Sequence, residues 1–385
     1  MPLRNLVPLL CATLLTFAVL YAPQTLLPWI AADLDVSQAA AASLISWSLL
    51  AMVVAPVPAG LLMLRSSPRG LVVGGLLGLM FTEAAFYLAP TLPLLSGLRF
   101  LQGGLIALLV AALMTYIALN AVDVRRVMAY YVAASILGGL GGRVLAGFLA
   151  SEEAWRPVFL VLTVGLAGCV GLAWRMEAGP APRSARLFGA LGAVLRQPLV
   201  RRASGVGFAG FFVFTALLNF LPFRLQDLDP AVGQASVGLS YAGFLVGVAA
   251  ALLSARLRTG LGGTFPAIYA GLAVLLGAVA LAAVPALGAL FAISALAAPG
   301  FFLVHTLLAG ALNARAGTEA GAVNAVYVAS YYIGGSLGSY VPGLVYAAYG
   351  WGAFLALLSV VGGLAVYLTH RSALAVRAQP TPAAS

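Results

Sequence analysis

Long apolar stretches alternate with short polar breaks along the whole chain. A helix crossing ~30 Å of hydrocarbon needs about 20 apolar residues. Stretches of that order run over 6–30, 41–64, 70–89, 92–119, 127–150 and 155–175, then over 203–225, 235–257, 262–284, 287–312, 320–349 and 351–368. They lack the period-two alternation of membrane strands, and in lipid only helices or closed barrels satisfy their own backbone. The pattern predicts an all-α integral membrane protein, with twelve transmembrane helices in two pseudo-symmetric six-helix bundles. The widest polar break, 177–202, holds Pro180, Pro182, Arg183, Arg186, Arg196, Arg201 and Arg202 and reads as a cytoplasmic linker. It separates an N-terminal bundle (1–176) from a C-terminal bundle (203–370) and a tail (371–385).

The halves repeat each other, as those of transporters commonly do. Gly138, Gly139, Gly142, Gly147 and Trp155 recur 196 residues later as Gly334, Gly335, Gly338, Gly343 and Trp351. Asp33-Leu34-Asp35 and Ser46-Trp47 recur after 194 residues as Asp227-Leu228-Asp229 and Ser240-Tyr241. Each match alone is weak, but they agree on one shift near half the chain length.

Composition supports lipid as the solvent. Of 385 residues 63% are apolar and 8% charged, whereas a soluble domain has about a quarter charged. The formal charge of +10 comes from twenty arginines and no lysine, and its sign belongs to topology. Arg4, Arg65, Arg69, Arg125, Arg126, Arg175, the linker arginines, Arg256, Arg258, Arg315, Arg371 and Arg377 fall in alternate loops, with only Asp123, Glu177 and Glu319. The other loops hold Asp33, Asp35, Glu152, Glu153, Asp227 and Asp229, with Arg156 and Arg224 at span ends. The positive-inside rule then puts both termini and the linker in the cytoplasm of a bacterial inner membrane. No basic run interleaved with aromatics marks a nucleic-acid surface. Cys11 and Cys169 lie in apolar stretches as small hydrophobes, and the first stretch after Arg4 reads as an uncleaved helix rather than a signal peptide.

Several motifs resemble those of the major facilitator superfamily, in particular its bacterial efflux-type members. Arg99-Phe100-Leu101-Gln102-Gly103 is similar to that family's Arg-x-x-Gln-Gly signature in the fourth span. Gly138-Gly139-x-Gly141-Gly142-Arg143 with Gly147 resembles its glycine-rich antiporter motif without the proline, and Trp155-Arg156 after an acidic loop is also typical. The loop from Gly60 to Arg69 departs from the pattern, with Leu64 for the usual aspartate and Ser67 for the second glycine. The resemblance implies alternating access, with spans one, four, seven and ten around a central cavity.

Ionisable groups inside spans are costly and mark function. Glu83, Arg99 and Arg143 stand out, Glu83 and Arg99 about eight residues down either arm of the hairpin tipped by Pro90 to Pro93. At 1.5 Å per residue they share a depth, so an ion pair or a triad with Arg143 is expected in the outer half of the first bundle. It serves either to fix helix register or to carry protons or attract an anion. Polar-aromatic stripes at helical spacing mark the cavity: Phe17, Tyr21 and Gln24 in span one, Arg99 and Gln102 in span four, and Phe212, Thr215 and Asn219 with Phe208 in span seven. Phe301 and His305 follow in span ten, and Asn324, Tyr327 and Tyr331 in span eleven. His305 is a second proton-carrying candidate. Ser135, Gly139, Gly142 and Ala146 share one helical face, as do Gly334, Gly338 and Pro342. With Gly138 these glycines are expected to form the moving seam between bundles.

No zinc-ligand spacing, Walker loop, nucleophile elbow or paired-carboxylate site appears, so neither an enzyme, an ATP-driven pump nor a cofactor is expected. The reading is a monomeric secondary transporter exporting a small organic solute against protons. A facilitator or symporter for an organic anion stays open beside it, and a membrane sensor or enzyme is the rival of another class.

Overall fold

The computed structural model describes residues 1–63, 65–150, 154–178, 191–316 and 320–377. Leu64, Ser151, Glu152, Glu153, Pro180, Pro182, Arg183, Arg186, Glu319 and the tail beyond Arg377 lie outside the described residues, as do the side chains of Arg125, Arg315 and Arg377. Among the described residues every regular element is helical.

The first half comprises α1 (Leu3–Asp33), α2 (Gln38–Val54, resumed at Pro56–Met63), α3 (Pro68–Leu88), α4 (Leu92–Asn120), α5 (Val124–Leu149) and α6 (Pro157–Ala173). The second comprises α7 (Pro198–Leu228), α8 (residues 234–260, in short segments around a 3-10 turn at Ser240–Gly243), α9 (Thr264–Leu281) and α10 (Leu287–Ala316). The helix Ala320–Arg377 breaks at Gly350, whose φ of 79° favours glycine, into α11 (320–349) and α12 (351–377). All twelve expected spans are present. Two boundaries move: Arg201 and Arg202 lie in the first turn of α7 rather than the linker, and α12 runs on through Arg371.

Local chemistry sets the helix ends. The side chains of Ser37, Ser67 and Asp123 cap α2, α3 and α5, accepting from the backbone N–H of Ala40, Gly70 and Arg126. Pro68, Pro157 and Pro198 open α3, α6 and α7, where a missing N–H costs nothing. Hydroxyls inside spans, such as those of Thr13 and Thr16, donate to the carbonyl four residues back and so need no water.

With twelve spans, the start of α1 and the end of α12 sit at one end of the molecule, called here the terminal end. The far end repeats across the halves. Trp155 Nε1 and Arg156 both donate to Asp33 at 3.1 Å, and Arg156 donates to the Ala89 carbonyl at 2.8 Å. In the second half, Asp227 accepts from Tyr346, and Trp351 Nε1 donates to the Ala282 carbonyl at 2.7 Å.

The glycine faces differ from expectation. A Cβ on Gly142 would stand 2.5 Å from the Ala18 carbonyl oxygen, and Gly138 packs likewise on Leu14, both in α1 of the same half. Gly334 and Gly338 repeat this on Phe208 and Phe212 of α7. Gly139 faces Tyr21 and Arg143. These glycines bring α5 onto α1 and α11 onto α7 within each bundle. The seam between bundles runs elsewhere, at the far end: a Cβ on Gly147 of α5 would lie 3.0 Å from the Gly238 Cα of α8, Gly343 of α11 packs on Ala39 of α2, and Gly335 approaches Leu49. Ser46 and Ser336 cross that seam, each hydroxyl donating to the other's carbonyl at 2.8 and 3.0 Å.

Candidate functional site

The halves close on each other at the far end and part at the terminal end. There a cavity of about 1190 Å³ opens between α5, α8 and α10. Met128 and Val132 line one side, Ala251 and Leu252 another, and His305 and Thr306 a third, with Asp123 at the mouth. The wall is mostly apolar, which suits an organic solute.

Above one side of the cavity stands an aromatic stack in the second half. Tyr331 lies on Phe211 with ring centroids 3.9 Å apart and planes within 7°, and Phe301 backs Phe211 at 5.2 Å. His305 faces Tyr331 at 4.9 Å, and its Nδ1 shares a 2.9 Å hydrogen bond with the Tyr327 hydroxyl. Phe301, His305, Tyr327 and Tyr331 are thus brought together as their spacing suggested. Phe211 and Phe214, which join them, belong to the face of α7 beside the stripe picked from sequence. Phe212 instead stacks on Phe208 and meets α11 through its backbone. Sequence period carried little signal here, because α7 is buried along nearly its whole length and has no solvent face to mark.

Most of the polar residues expected in the cavity are engaged in holding helices together. Thr215 donates to carbonyls of its own helix and of Gly335 at 3.1 Å. Asn324 bonds Asn313 at 2.7 Å, tying α11 to α10. Phe17 is half-buried against the core.

The expected triad divides into two separate groups. Arg99, 1% exposed, donates from Nε to the Leu44 carbonyl and from its terminal nitrogens to the carbonyls of Val19 and Leu20. It does not pair with Glu83. Gln102 intervenes, accepting from Arg99 at 2.8 Å and donating to Glu83 Oε2 at 2.6 Å. Glu83 Oε1 is buried without a partner among the described residues.

Arg143 turns the other way, toward the second half. Its Nε donates to Gln24 Oε1 at 2.6 Å and its NH1 to the Gly139 carbonyl at 2.8 Å. Gln24 in turn donates to Asn219 of α7, so an amide chain crosses between bundles. The guanidinium lies 4.1 Å from the Tyr21 ring centre, 4.5 Å from Phe244 and 5.2 Å from Tyr241, the last two in α8. Phe244 was not legible in advance, whereas Tyr241 stood in the repeat opposite Trp47.

Two bundles closed at one end over a cavity open at the other are the architecture of a solute transporter. Residues 9–339 match the model of the Major Facilitator Superfamily, and the chain belongs to that superfamily of membrane transporters. It is 26% identical to the inner membrane transport protein YnfM of Escherichia coli (strain K12), over 96% of this chain and 91% of that protein. Its fold is similar to that of a bacterial homologue of the human lysosomal transporter Spinster in an inward-facing, unoccupied conformation, with TM-score 0.76, 16% identity and 98% of each chain covered. It is also similar to that of the nucleoside transporter NupG, with TM-score 0.75, 14% identity, and 98% of this chain and 100% of that one covered. The protein is a transporter of small solutes, not an enzyme.

Proposed function

We propose that this monomeric chain exports a small organic solute across the bacterial inner membrane in exchange for protons, with both termini in the cytoplasm. The arginine-bearing loops lie at the terminal end, so the positive-inside rule supports an inward-facing cavity here. The observation that carries the proton step is the setting of Glu83. It is a fully buried carboxylate with no arginine in salt-bridge range among the described residues, one oxygen on Gln102 and the other free. Such a group is costly to leave charged, and a proton is the species small enough to relieve it there. His305, on the cavity wall, is the second group able to accept one.

The test is flux in inverted membrane vesicles. An acid interior should drive solute uptake, and Glu83→Gln should uncouple uptake from the gradient while solute binding persists. Uptake indifferent to the gradient in the unmodified protein would overturn the exchange, and Glu83→Gln without effect would move the proton site elsewhere.

A further inference from the structure

We propose that the transported solute is a planar aromatic anion, its ring lying against the aromatic side chains between the bundles and its carboxylate drawn to Arg143. This rests on the transport reading above and names the substrate class of the same site.

The ring surface comes from five partly exposed aromatic side chains, Phe17 from the first half and Phe208, His305, Tyr331 and Tyr332 from the second, of which His305 lines the cavity itself. The platform is rigid, since Tyr331 is pinned flat on Phe211 and edge-on to Tyr332 at 4.7 Å. Flat apolar faces held in place favour a planar ring over a flexible or saturated body of equal area.

The charge argument selects the anion. Arg99 has Glu83 as counter-charge through Gln102. Arg143 has none: it is 1% exposed, with no carboxylate within salt-bridge range and no hydrogen bond from NH2 among the described residues. A buried guanidinium without an anion is one side of an incomplete pair. Aromatic faces would also attract a cation, but Arg143 already occupies those of Tyr21, Phe244 and Tyr241 and would repel a second positive charge. Asp123, the carboxylate at the cavity mouth, is engaged in capping α5. The hydroxyls of Tyr21, Tyr331 and Tyr332 make no hydrogen bond among the described residues, and each has a proton to donate to a carboxylate. Arg143 lies eleven residues beyond Val132 on α5, ~16 Å deeper at 1.5 Å per residue, so the solute meets it only beyond the open part of the cavity, with Tyr21 beneath the guanidinium.

The test uses purified full-length protein and four probes: naphthoate, naphthamide, naphthylmethylammonium and the saturated bicyclic carboxylate. Naphthoate should raise the unfolding temperature and bind at least tenfold tighter than the amide or the saturated acid, and the ammonium probe should not bind. Tyr331→Leu should weaken naphthoate and naphthamide alike. Arg143→Gln should erase the preference for naphthoate over naphthamide, and Arg143→Lys should keep part of it. Because Arg143 also joins Gln24, Arg143→Gln could fail to fold, and the four-probe ranking on unmodified protein then decides alone. Equal or tighter binding of the ammonium probe, equal binding of the saturated acid, a preference that survives Arg143→Gln, or no binding by any probe would each overturn the proposal. Naphthoate flux that ignores a pH gradient would overturn proton exchange and leave this assignment standing.

Discussion

Glu83 and Arg99 reach each other through one amide: Gln102 accepts from Arg99 at 2.8 Å and donates to Glu83 at 2.6 Å. The arrangement joins α3 to α4, and Arg99 extends it to the backbone of α1 and α2. It holds four helices of the first half through one buried chain of hydrogen bonds.

Gln102→Met, similar in volume, should therefore leave both oxygens of Glu83 buried without a partner, while Arg99 NH1 keeps the Val19 carbonyl. The expected loss is about 1–3 kcal/mol, read as a drop in unfolding temperature in detergent. A change within error would show that water replaces the amide.

Two adjacent glycines should respond in opposite ways. A Cβ on Gly103 would stand 2.7 Å from the Ser48 Cα, against backbone that cannot move aside, whereas nothing lies within 4 Å of one on Gly104. Gly103→Ala should cost about 1–3 kcal/mol, while Gly104→Ala should be neutral or stabilise by up to about 1 kcal/mol. Thermal unfolding of the two variants side by side checks the close approach of α4 to α2.

The far-end seam should control which way the cavity faces. Gly147→Leu would drive a side chain into Gln234 and Gly238 of α8, disfavouring the state described here without touching the cavity wall. In protein lacking Cys11 and Cys169, a reporter at Met128→Cys should react with a water-soluble thiol reagent. Adding Gly147→Leu should slow that reaction several-fold through a population shift. An unchanged rate would mean the seam does not govern access.

At the terminal end, Arg4 pairs with Glu177, but their side chains are 67% and 46% exposed. Arg4→Gln should cost no more than about 1 kcal/mol, and less in high salt. Asn5 is fully buried, donating to the Glu177 carboxylate at 3.1 Å and accepting from its backbone N–H at 3.2 Å. Asn5→Leu should cost about 1–2 kcal/mol because the part-buried Glu177 N–H and carboxylate both lose their partner. Equal effects of the two substitutions would show that the exposed pair carries the junction.

The twelve spans, their division into halves and the repeat joining Asp33 to Asp227 and Trp155 to Trp351 were legible in the sequence alone. Lipid imposes those features residue by residue, through apolar length and the cost of an unpaired backbone. Glu83, Arg99 and Arg143 were visible for the same reason, each being expensive where it stands. Their partners were not. In a helix buried on every side, neighbouring faces look alike to a periodicity, so Phe211 could not be told from Phe212, nor Thr215 and Asn219 from cavity contacts. Only the packing of α7 against α10 and α11 decided which ring joined the stack. The crossing of α1 between α5 and α7 likewise placed Gln24 between Arg143 and Asn219, and the pairing of α3 with α4 placed Gln102 between the charges. Such choices depend on angles and distances between helices, which no single helix encodes.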